Sequence, residues 1–278
     1  MIKCIALDLD GTTLSNDKNI SDKTKHALEA AISKGIHVVI ASGRCLDALP
    51  KAVTEIKGIE YAITSNGAAV YDMKTKNCLQ RITLCPENID QILALTRDLT
   101  VTHEVFVNGI PYAKREYVEN PLAYGSTPYA VEYIKNTRQP IDDIFAFIDE
   151  HKNEIDGLDL LSMNGELRDI LWKKLEKLEP KLYITSSVLN RIETSSPKAG
   201  KHNGLAFLLE TLKISPEETA AFGDADNDKE MLSFVKYGMA MANASRLCKE
   251  AAWKIVPSNT EDGVAVGIEN LLNMERYL

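Results

Sequence analysis

Short apolar runs alternate with stretches of helical periodicity over the first 72 residues. Ile2–Leu7 and Ile36–Ala41 are continuous apolar runs, which is typical of strands covered on both faces of a sheet. One helix is predicted from a Ser21-Asp22 cap to Lys34, and a second helix through Leu46, Leu49, Val53 and Ile56. A third strand is predicted at Tyr61–Thr64. This alternation predicts an α/β fold with a doubly wound parallel sheet.

A different pattern follows Asp72. An Asn108-Gly109 turn between short strands and helical periodicity over Ile89–Leu99 and Leu167–Leu178 indicate an α+β segment, in which Tyr124–Gln139 is predicted to be irregular. From Ile192 the parallel pattern is expected to return. The sequence therefore predicts a core domain made of residues 1–83 and 191–278, with an α+β domain inserted at residues 84–190.

Composition and charge exclude several classes of protein. The chain has 278 residues and a net charge of -8, and a pI near 5.3 argues against a general nucleic-acid-binding protein, which needs a basic face. No apolar run approaches the roughly 20 residues that span a bilayer, so we expect a cytoplasmic protein without a membrane partner. The five cysteines are scattered and are expected to be reduced thiols. The oligomeric state cannot be inferred.

Two aspartates, Asp8 and Asp10, directly follow the first predicted strand, with Gly11 and Thr12 after them. Two carboxylates held this close repel each other, so one protonates unless a cation lies nearby. Oxygen ligands suit a divalent cation, and magnesium binds one or two carboxylates together with water and substrate phosphate. One aspartate is then available as a nucleophile that forms an aspartyl-phosphate. The alternative interpretation is a strand followed by an ordinary Asp-Gly turn.

Three polar motifs share one placement, because each follows a predicted strand and precedes a helix. They are Asp8–Thr12, Ser42-Gly43-Arg44 and Gly223–Asp228. The carboxyl ends of parallel strands line one crevice, where open α/β sheets bind their ligands. The helix that follows each motif adds free N–H groups and a positive dipole end, both suited to phosphate. Because the protein is acidic, a lysine is also expected at such a site.

The motifs DxDGT at Asp8–Thr12, SGR at Ser42–Arg44, a lysine, and GDxxND at Gly223–Asp228 occur in this order. The set resembles the haloacid dehalogenase (HAD) superfamily, and within it the Cof-type phosphatases of subclass IIB. The resemblance covers essentially the whole chain, including Ser65-Asn66-Gly67-Ala68 and Glu261–Ala265. It implies a Rossmann-like core with an inserted α/β cap.

The resemblance also implies catalytic and metal-binding roles. Asp8 would attack the phosphorus atom, and Asp10 would protonate the leaving alcohol and then deprotonate the hydrolytic water. Magnesium would be held by the Asp8 carboxylate, the backbone carbonyl of Asp10 and Asp224. The phosphoryl group would be bound by Ser42, the N–H groups of Leu9 and Gly43, a lysine, and Asn227.

Two lysines compete for the phosphate-binding position. Lys201 lies 23 residues before Asp224, a spacing common in the family, whereas Lys198 does not fit it. The resemblance therefore favours Lys201. His202 replaces the usual glycine of this motif, which puts the approach of the backbone there in question.

Three further residues each keep two interpretations. Arg44 contacts either the substrate or its own loop, and Asn66 either lines the crevice or only forms a turn. Asp228 either supports the metal through water or has no contact with it.

The expected function is hydrolysis of small phosphomonoesters, such as sugar phosphates or similar metabolites, with magnesium as cofactor and an aspartyl-phosphate intermediate. A phosphosugar mutase would use the same intermediate and return the phosphoryl group to the sugar. A catalytically silent phosphate-binding regulator is the third hypothesis, and the presence of both Asp8 and Asp10 argues against it.

Overall fold

Within the residues that the structure describes, the strands form two sheets, one of eight strands and one of six. The computed structural model describes residues 1–188 and 190–274, apart from the side chain of Tyr129. Leu189, in the predicted insertion, and residues 275–278, in the predicted core, lie outside the described residues.

The strands are β1 (Cys4–Leu7), β2 (His37–Ala41), β3 (Ile59–Thr64), β4 (Ala69–Asp72), β5 (Cys78–Arg81), β6 (Thr102–Val107), β7 (Ile110–Lys114), β8 (Gln139–Ile141), β9 (Ile155–Leu161), β10 (Tyr183–Thr185), β11 (Arg191–Ser195), β12 (Thr219–Gly223), β13 (Tyr237–Met241) and β14 (Lys254–Val256). The α-helices are α1 (Asp22–Ser33), α2 (Lys51–Thr54), α3 (Pro86–Thr96), α4 (Arg115–Glu119), α5 (Pro128–Thr137), α6 (Ile144–Glu150), α7 (Gly165–Leu175), α8 (Lys201–Leu212), α9 (Lys229–Phe234), α10 (Arg246–Ala251) and α11 (Gly263–Met274).

The eight-stranded sheet has the order β14-β13-β12-β1-β2-β3-β4-β5, and its pairs from β14 to β3 are parallel. All four residues of β1 are buried. Since successive side chains of a strand point to opposite faces, the sheet is covered on both faces at β1. The predicted α/β fold with a parallel sheet is confirmed. This order also places the ends of β12, β1 and β2 side by side.

The cap of α1 follows the sequence prediction. The Ser21 hydroxyl accepts a hydrogen bond from the N–H of Thr24 at 3.0 Å, which satisfies one of the free N–H groups of the first turn. Ala27, Leu28 and Ala31 form the buried side of the helix. The helix packs against α11.

The predicted helix through Leu46, Leu49, Val53 and Ile56 is wrong as a continuous element. The structure has a 3₁₀ turn at Leu46–Ala48 and then the short helix α2. Pro50 separates them, because proline has no N–H to donate and keeps the residue before it out of the helical conformation.

The six-stranded sheet has the order β10-β11-β9-β6-β7-β8 and is antiparallel except for the β7–β8 pair. The predicted Asn108-Gly109 turn joins β6 to β7. Helices α3, α6 and α7 bury their apolar residues against one side of the sheet. The core between them consists of Ile89, Ile92, Leu93, Val105, Ile144, Ile148, Leu158, Leu160, Leu171, Leu175 and their neighbours.

The irregular conformation expected for Tyr124–Gln139 is wrong, because helix α5 occupies most of this range. Pro128 stands in the first turn, where its missing N–H costs nothing and its fixed φ suits a helix. Ile134 is buried in a small core with Tyr117 and Leu161. The tyrosine and proline content of this range concealed a short amphipathic helix.

The parallel pattern does not resume at Ile192. Strand β11 pairs antiparallel with β9 and β10 in the six-stranded sheet. Its sequence explains the difference, since the polar residues Arg191 and Glu193 flank Ile192, and such alternation is typical of antiparallel strands.

The chain folds into two compact units. The first comprises Met1–Arg44, Leu49–Gln80 and the chain from Gly200 onward, and the second comprises Cys45–Ala48 and Arg81–Ala199. The division of the sequence at residues 84 and 190 into a catalytic domain and a cap stays a prediction. In the described ranges, no helix is both long enough and apolar enough to cross a bilayer.

His103, on β6, provides a prediction about stability. It is 3% exposed, its Nε2 lies 2.8 Å from the Thr96 hydroxyl, and burial together with the charge of Arg97 lowers its pKa from 6.5 to about 4. The unfolded chain therefore binds more protons than the folded chain between pH 6.5 and 4, so stability falls as the pH falls through this window. The full decrease in the free energy of unfolding is on the order of 3 kcal/mol.

We expect the His103→Leu variant to lose this part of the pH dependence of the free energy of unfolding, as measured by urea denaturation at pH 6.5 and pH 4. His26→Leu, which removes an exposed histidine, serves as the control. An equal pH dependence of the free energy of unfolding in wild type and His103→Leu would contradict the lowered pKa of His103.

Candidate active site

Lys201 lies between two carboxylates in the first unit. Its Nζ atom donates hydrogen bonds of 2.6 Å to Asp8 Oδ1 and of 2.6 Å to Asp228 Oδ1, and its side chain is fully buried. Lys201 begins α8, and Asp8 directly follows β1. Lys198, the alternative in the sequence, is exposed. The structure therefore brings together the lysine that the motif spacing favoured and the predicted nucleophile.

Three carboxylates converge at this position. Each of Asp8, Asp224 and Asp228 offers a carboxylate oxygen within 4.8 Å of the other two. Burial and the charge of Asp228 raise the pKa of Asp8 well above its usual value, although Lys201 opposes the shift. Burial and Asp228 likewise raise the pKa of Asp224 to about 6. Three acidic groups beside one lysine leave excess negative charge.

The donor set fits a divalent metal ion. The three ligand candidates are all carboxylate oxygens, the type that hard cations such as Mg²⁺ and Ca²⁺ prefer. A dication would offset the repulsion that raises the carboxylate pKa values. The sequence named Asp8, the Asp10 carbonyl and Asp224 as ligands and left open whether Asp228 supports the metal through water. The structure places the Asp228 carboxylate in one cluster with those of Asp8 and Asp224, and its contact with a metal stays a prediction.

Asp228 also holds the loop that carries Asp224. Its Oδ2 atom accepts hydrogen bonds from the N–H groups of Asp224 at 3.0 Å and Ala225 at 3.1 Å. A Cβ on Gly223 would lie 2.4 Å from the Asp228 Cβ, so only glycine fits there. Asp228 therefore connects Lys201 to the GDxxND loop, which the sequence did not indicate.

Gly11 and Thr12 position Asp224 from the other side. Gly11 has φ +83°, and a Cβ there would lie 2.4 Å from Asp224 Oδ2. The Thr12 hydroxyl donates a 2.6 Å hydrogen bond to Asp224 Oδ1. The glycine and threonine of the DxDGT motif thus allow the close approach of Asp224, and this function was also missed in the sequence.

Asp10 is held by two cations. Arg44 donates to both of its carboxylate oxygens, at 2.6 and 2.7 Å, and Lys18 Nζ lies 2.8 Å from Oδ1. Burial favours the neutral acid, but hydrogen bonding and charge from Arg44, followed by those from Lys18, outweigh it and lower the pKa of Asp10. Asp10 is therefore ionised in this conformation. The Arg44 side chain pairs with Asp10 in the loop after β1, a contact that neither interpretation of Arg44 named, and its contact with substrate stays a prediction. No sequence pattern indicated Lys18.

The predicted phosphate-binding groups lie at the ends of adjacent strands: Leu9 beyond β1, Ser42 and Gly43 beyond β2, and Asn227 beyond β12. Ser42 is buried, and its hydroxyl accepts a hydrogen bond from the Arg44 N–H at 3.1 Å. Asn227 is also buried and donates to Asn66 Oδ1 at 2.9 Å. Their contact with a phosphoryl group stays a prediction.

His202 does not disturb the helix that Lys201 begins, since α8 is regular through this position. Its side chain is partly exposed, and burial lowers its pKa despite the nearby charge of Glu230. The neutral imidazole is therefore favoured.

Comparison with known proteins identifies the family. The family model for haloacid dehalogenase-like hydrolases matches residues 5–268. Phosphatase YwpJ of Bacillus subtilis (strain 168) is 32% identical over 98% of this chain and 100% of its own. The 5-amino-6-(5-phospho-D-ribitylamino)uracil phosphatase YcsE of the same organism is 30% identical over 97% of this chain and 95% of its own.

A solved structure leads to the same result. A haloacid dehalogenase-like hydrolase from B. subtilis superimposes with a TM-score of 0.84 and 30% identity, covering 97% of this chain and 100% of that one. The chain therefore belongs to the haloacid dehalogenase-like hydrolases and is a phosphatase of this type.

Proposed function

We propose that this phosphatase is magnesium-dependent, hydrolyses small phosphomonoesters such as sugar phosphates, and forms an aspartyl-phosphate on Asp8. The observation that carries the proposal is the position of Lys201, 2.6 Å from both Asp8 and Asp228, beside the carboxylate of Asp224. A buried lysine at the start of α8 and three carboxylates, of which Asp8 and Asp224 directly follow the parallel strands β1 and β12, form a site suited to a metal ion and a phosphoryl dianion.

In the first half-reaction, a carboxylate oxygen of Asp8 attacks the phosphorus atom and the ester P–O bond breaks. Asp10 is ionised while it pairs with Arg44 and Lys18, so it must leave these partners and take a proton from solvent before it gives that proton to the leaving alkoxide. In the second, Asp10 takes a proton from water, the water oxygen attacks phosphorus, and the P–O bond to Asp8 breaks. Inorganic phosphate leaves, and Asp8 is regenerated.

The remaining groups stabilise negative charge in the transition state. Lys201 holds the Asp8 carboxylate and also binds the phosphoryl group, together with Ser42, Asn227 and the N–H groups of Leu9 and Gly43. Asp8, Asp224 and the Asp10 carbonyl would hold the metal, and the Asp228 carboxylate belongs to the same acidic cluster as Asp8 and Asp224. When bound, Mg²⁺ supplies Lewis-acid stabilisation of the transferring group.

The proposed substrate class has support from a relative. The name of YcsE specifies a phosphorylated ribitylamino compound, which is a small phosphomonoester. We further propose that the inserted residues 84–190 select the substrate as a cap, since they contribute five of the six strands of a separate sheet and most of its core.

The test is a phosphate-release screen over about a hundred phosphomonoesters, with Mg²⁺ present, after chelation with EDTA, and after Mg²⁺ is restored. We expect turnover with Mg²⁺, at least an approximately 100-fold loss on chelation, and recovery, because a metal ion contributes several kcal/mol of charge stabilisation. Conversion of a hexose 1-phosphate to the 6-phosphate without free phosphate would favour the mutase. Turnover unaffected by EDTA would refute the magnesium requirement.

A further inference from the structure

The loop after β3 has an unusual backbone. Ser65, Asn66 and Gly67 have φ values of 48°, 52° and 87°, so three successive residues lie in the left-handed region. This region is unfavourable for residues with a Cβ, although asparagine tolerates it better than most. Two consecutive non-glycine residues remain there only when the surroundings fix them, and such conformations concentrate at functional sites.

Asn66 hydrogen-bonds to three segments that are distant in sequence. Its N–H donates to Ser42 O at 3.1 Å, its C=O accepts from the Gly200 N–H at 2.7 Å, and its Oδ1 accepts from Asn227 Nδ2 at 2.9 Å. Ser65 adds a bond from its N–H to Arg44 O at 2.9 Å. One residue therefore connects the loop after β2, the residue preceding Lys201, and the GDxxND loop.

These segments are also closely packed against one another. A Cβ on Gly43 would lie 3.1 Å from Asn66 Oδ1, and a Cβ on Gly67 would lie 2.1 Å from Gly200 O. Asn66 is 7% exposed and Asn227 is 4% exposed, so their hydrogen bond forms away from water, where it is stronger. The loop therefore leaves these segments little room to move relative to one another.

We propose that Asn66 is a positioning residue for phosphoryl transfer. Its two backbone groups and its side chain fix the positions of Ser42-Gly43, Lys201 and Asn227 relative to one another. Asn66 does not touch the phosphoryl group itself. An amide nitrogen carries two hydrogens, so the bond to Asn66 orients Asn227 and leaves its second hydrogen for a phosphoryl oxygen. The proposal rests on the proposed function, because it takes Ser42, Lys201 and Asn227 as the groups that bind the phosphoryl group.

The Asn66→Gly variant separates this role from that of a simple turn residue. Glycine adopts a φ of 52° without cost and keeps both backbone groups, but it removes the bond to Asn227. We expect kcat/KM for the best substrate to fall at least tenfold, mainly through kcat, and the binding of inorganic phosphate in the presence of Mg²⁺ to weaken in calorimetry. A residue needed only for the turn would give wild-type values of both.

Lys213→Gly is the matched control, since Lys213 is an exposed left-handed residue with φ 57° at the end of the same helix that Lys201 begins. It should keep wild-type kcat/KM. If the glycine variant does not fold, it is made in a Ser65→Gly background, which relieves the left-handed strain at φ 48° and keeps every backbone hydrogen bond, and it is compared with Ser65→Gly alone. Near-wild-type kcat and phosphate binding in whichever variant is folded would overturn the proposal.

A double-mutant cycle tests the mechanism. Because Asn66 acts through Asn227, the loss caused by Asn66→Gly should be less than twofold in an Asn227→Ala background. Fully additive losses in the double variant would show that Asn66 does not act through Asn227. Failure of the proposed function would give a different result, because the wild-type protein would then release no phosphate from any ester and would not bind inorganic phosphate. That result would refute the proposed role of Asn66 as well.

Discussion

Replacement of Asp8 by asparagine is expected to abolish phosphate release while the protein stays folded. Asparagine keeps the shape of the side chain but cannot form an acyl phosphate, so kcat should fall by about a thousandfold or more. Initial rates of phosphate release with saturating Mg²⁺ measure the loss. A covalent phospho-enzyme trapped by rapid acid quenching should form in the wild type and be missing from the variant.

The stability of this variant should not fall. Asp8 is buried near Asp224 and Asp228, and its raised pKa means that its charge is unfavourable there without a metal. Lys201 keeps its second partner, Asp228, when Asp8 becomes neutral. Thermal unfolding in EDTA should therefore give a melting temperature equal to or above that of the wild type. Inactivity with a large decrease in melting temperature would contradict a purely chemical role.

Asp226→Asn provides the matched control. Asp226 belongs to the same GDxxND loop, but it is exposed and accepts a hydrogen bond of 2.6 Å from the Ser245 hydroxyl, which an amide oxygen can also accept. Its kcat/KM should stay within about twofold of wild type, since exposed substitutions have small effects. Asp8→Asn activity equal to that of this control would refute the nucleophile. A silent regulator would give no difference between the two variants.

The sequence predicted the features that depend on local patterns. Buried apolar runs located β1 and β2, and the rule that parallel strands end at one edge placed Asp8, Ser42 and Asp224 at the same edge of the sheet. The 23-residue spacing distinguished Lys201 from Lys198. In each case, a periodicity or a fixed distance along the chain contains the information.

The features that the sequence did not reveal depend on contacts between distant segments. Asn66 could have been a turn residue or part of the crevice, and only its bonds to Ser42 and Asn227 distinguish the two. Lys18 lies in a turn whose left-handed conformation carries it to Asp10. Helix α5 was missed because the tyrosine and proline residues around it obscured the burial of Ile134. Such contacts form only when the whole chain is folded.

Replacement of Lys201 by methionine should reduce both activity and stability. Methionine has a similar length, but without the ammonium group the carboxylates of Asp8 and Asp228 remain buried without their common partner. Removal of one member of a buried ion pair costs about 3–5 kcal/mol. Urea unfolding in EDTA should show this decrease in the free energy of unfolding, and kcat/KM should fall by about two to three orders of magnitude, as for the loss of a group that stabilises transition-state charge.

Lys198→Met changes the same residue type three positions earlier and at an exposed site. Its free energy of unfolding and its kcat/KM should equal those of the wild type within experimental error, since an exposed lysine contributes little. Wild-type activity in Lys201→Met, together with a loss in Lys198→Met, would reverse the assignment of the phosphate-binding lysine.

Magnesium provides the decisive comparison for Lys201→Met. In the wild type, Lys201 already offsets part of the charge of Asp8, Asp224 and Asp228, so added Mg²⁺ stabilises the fold against a smaller excess of negative charge. The variant retains the full charge of three carboxylates, and a dication should therefore raise its free energy of unfolding by more than it raises that of the wild type. An equal or smaller gain in the variant would show that the metal and the lysine do not act on the same carboxylates.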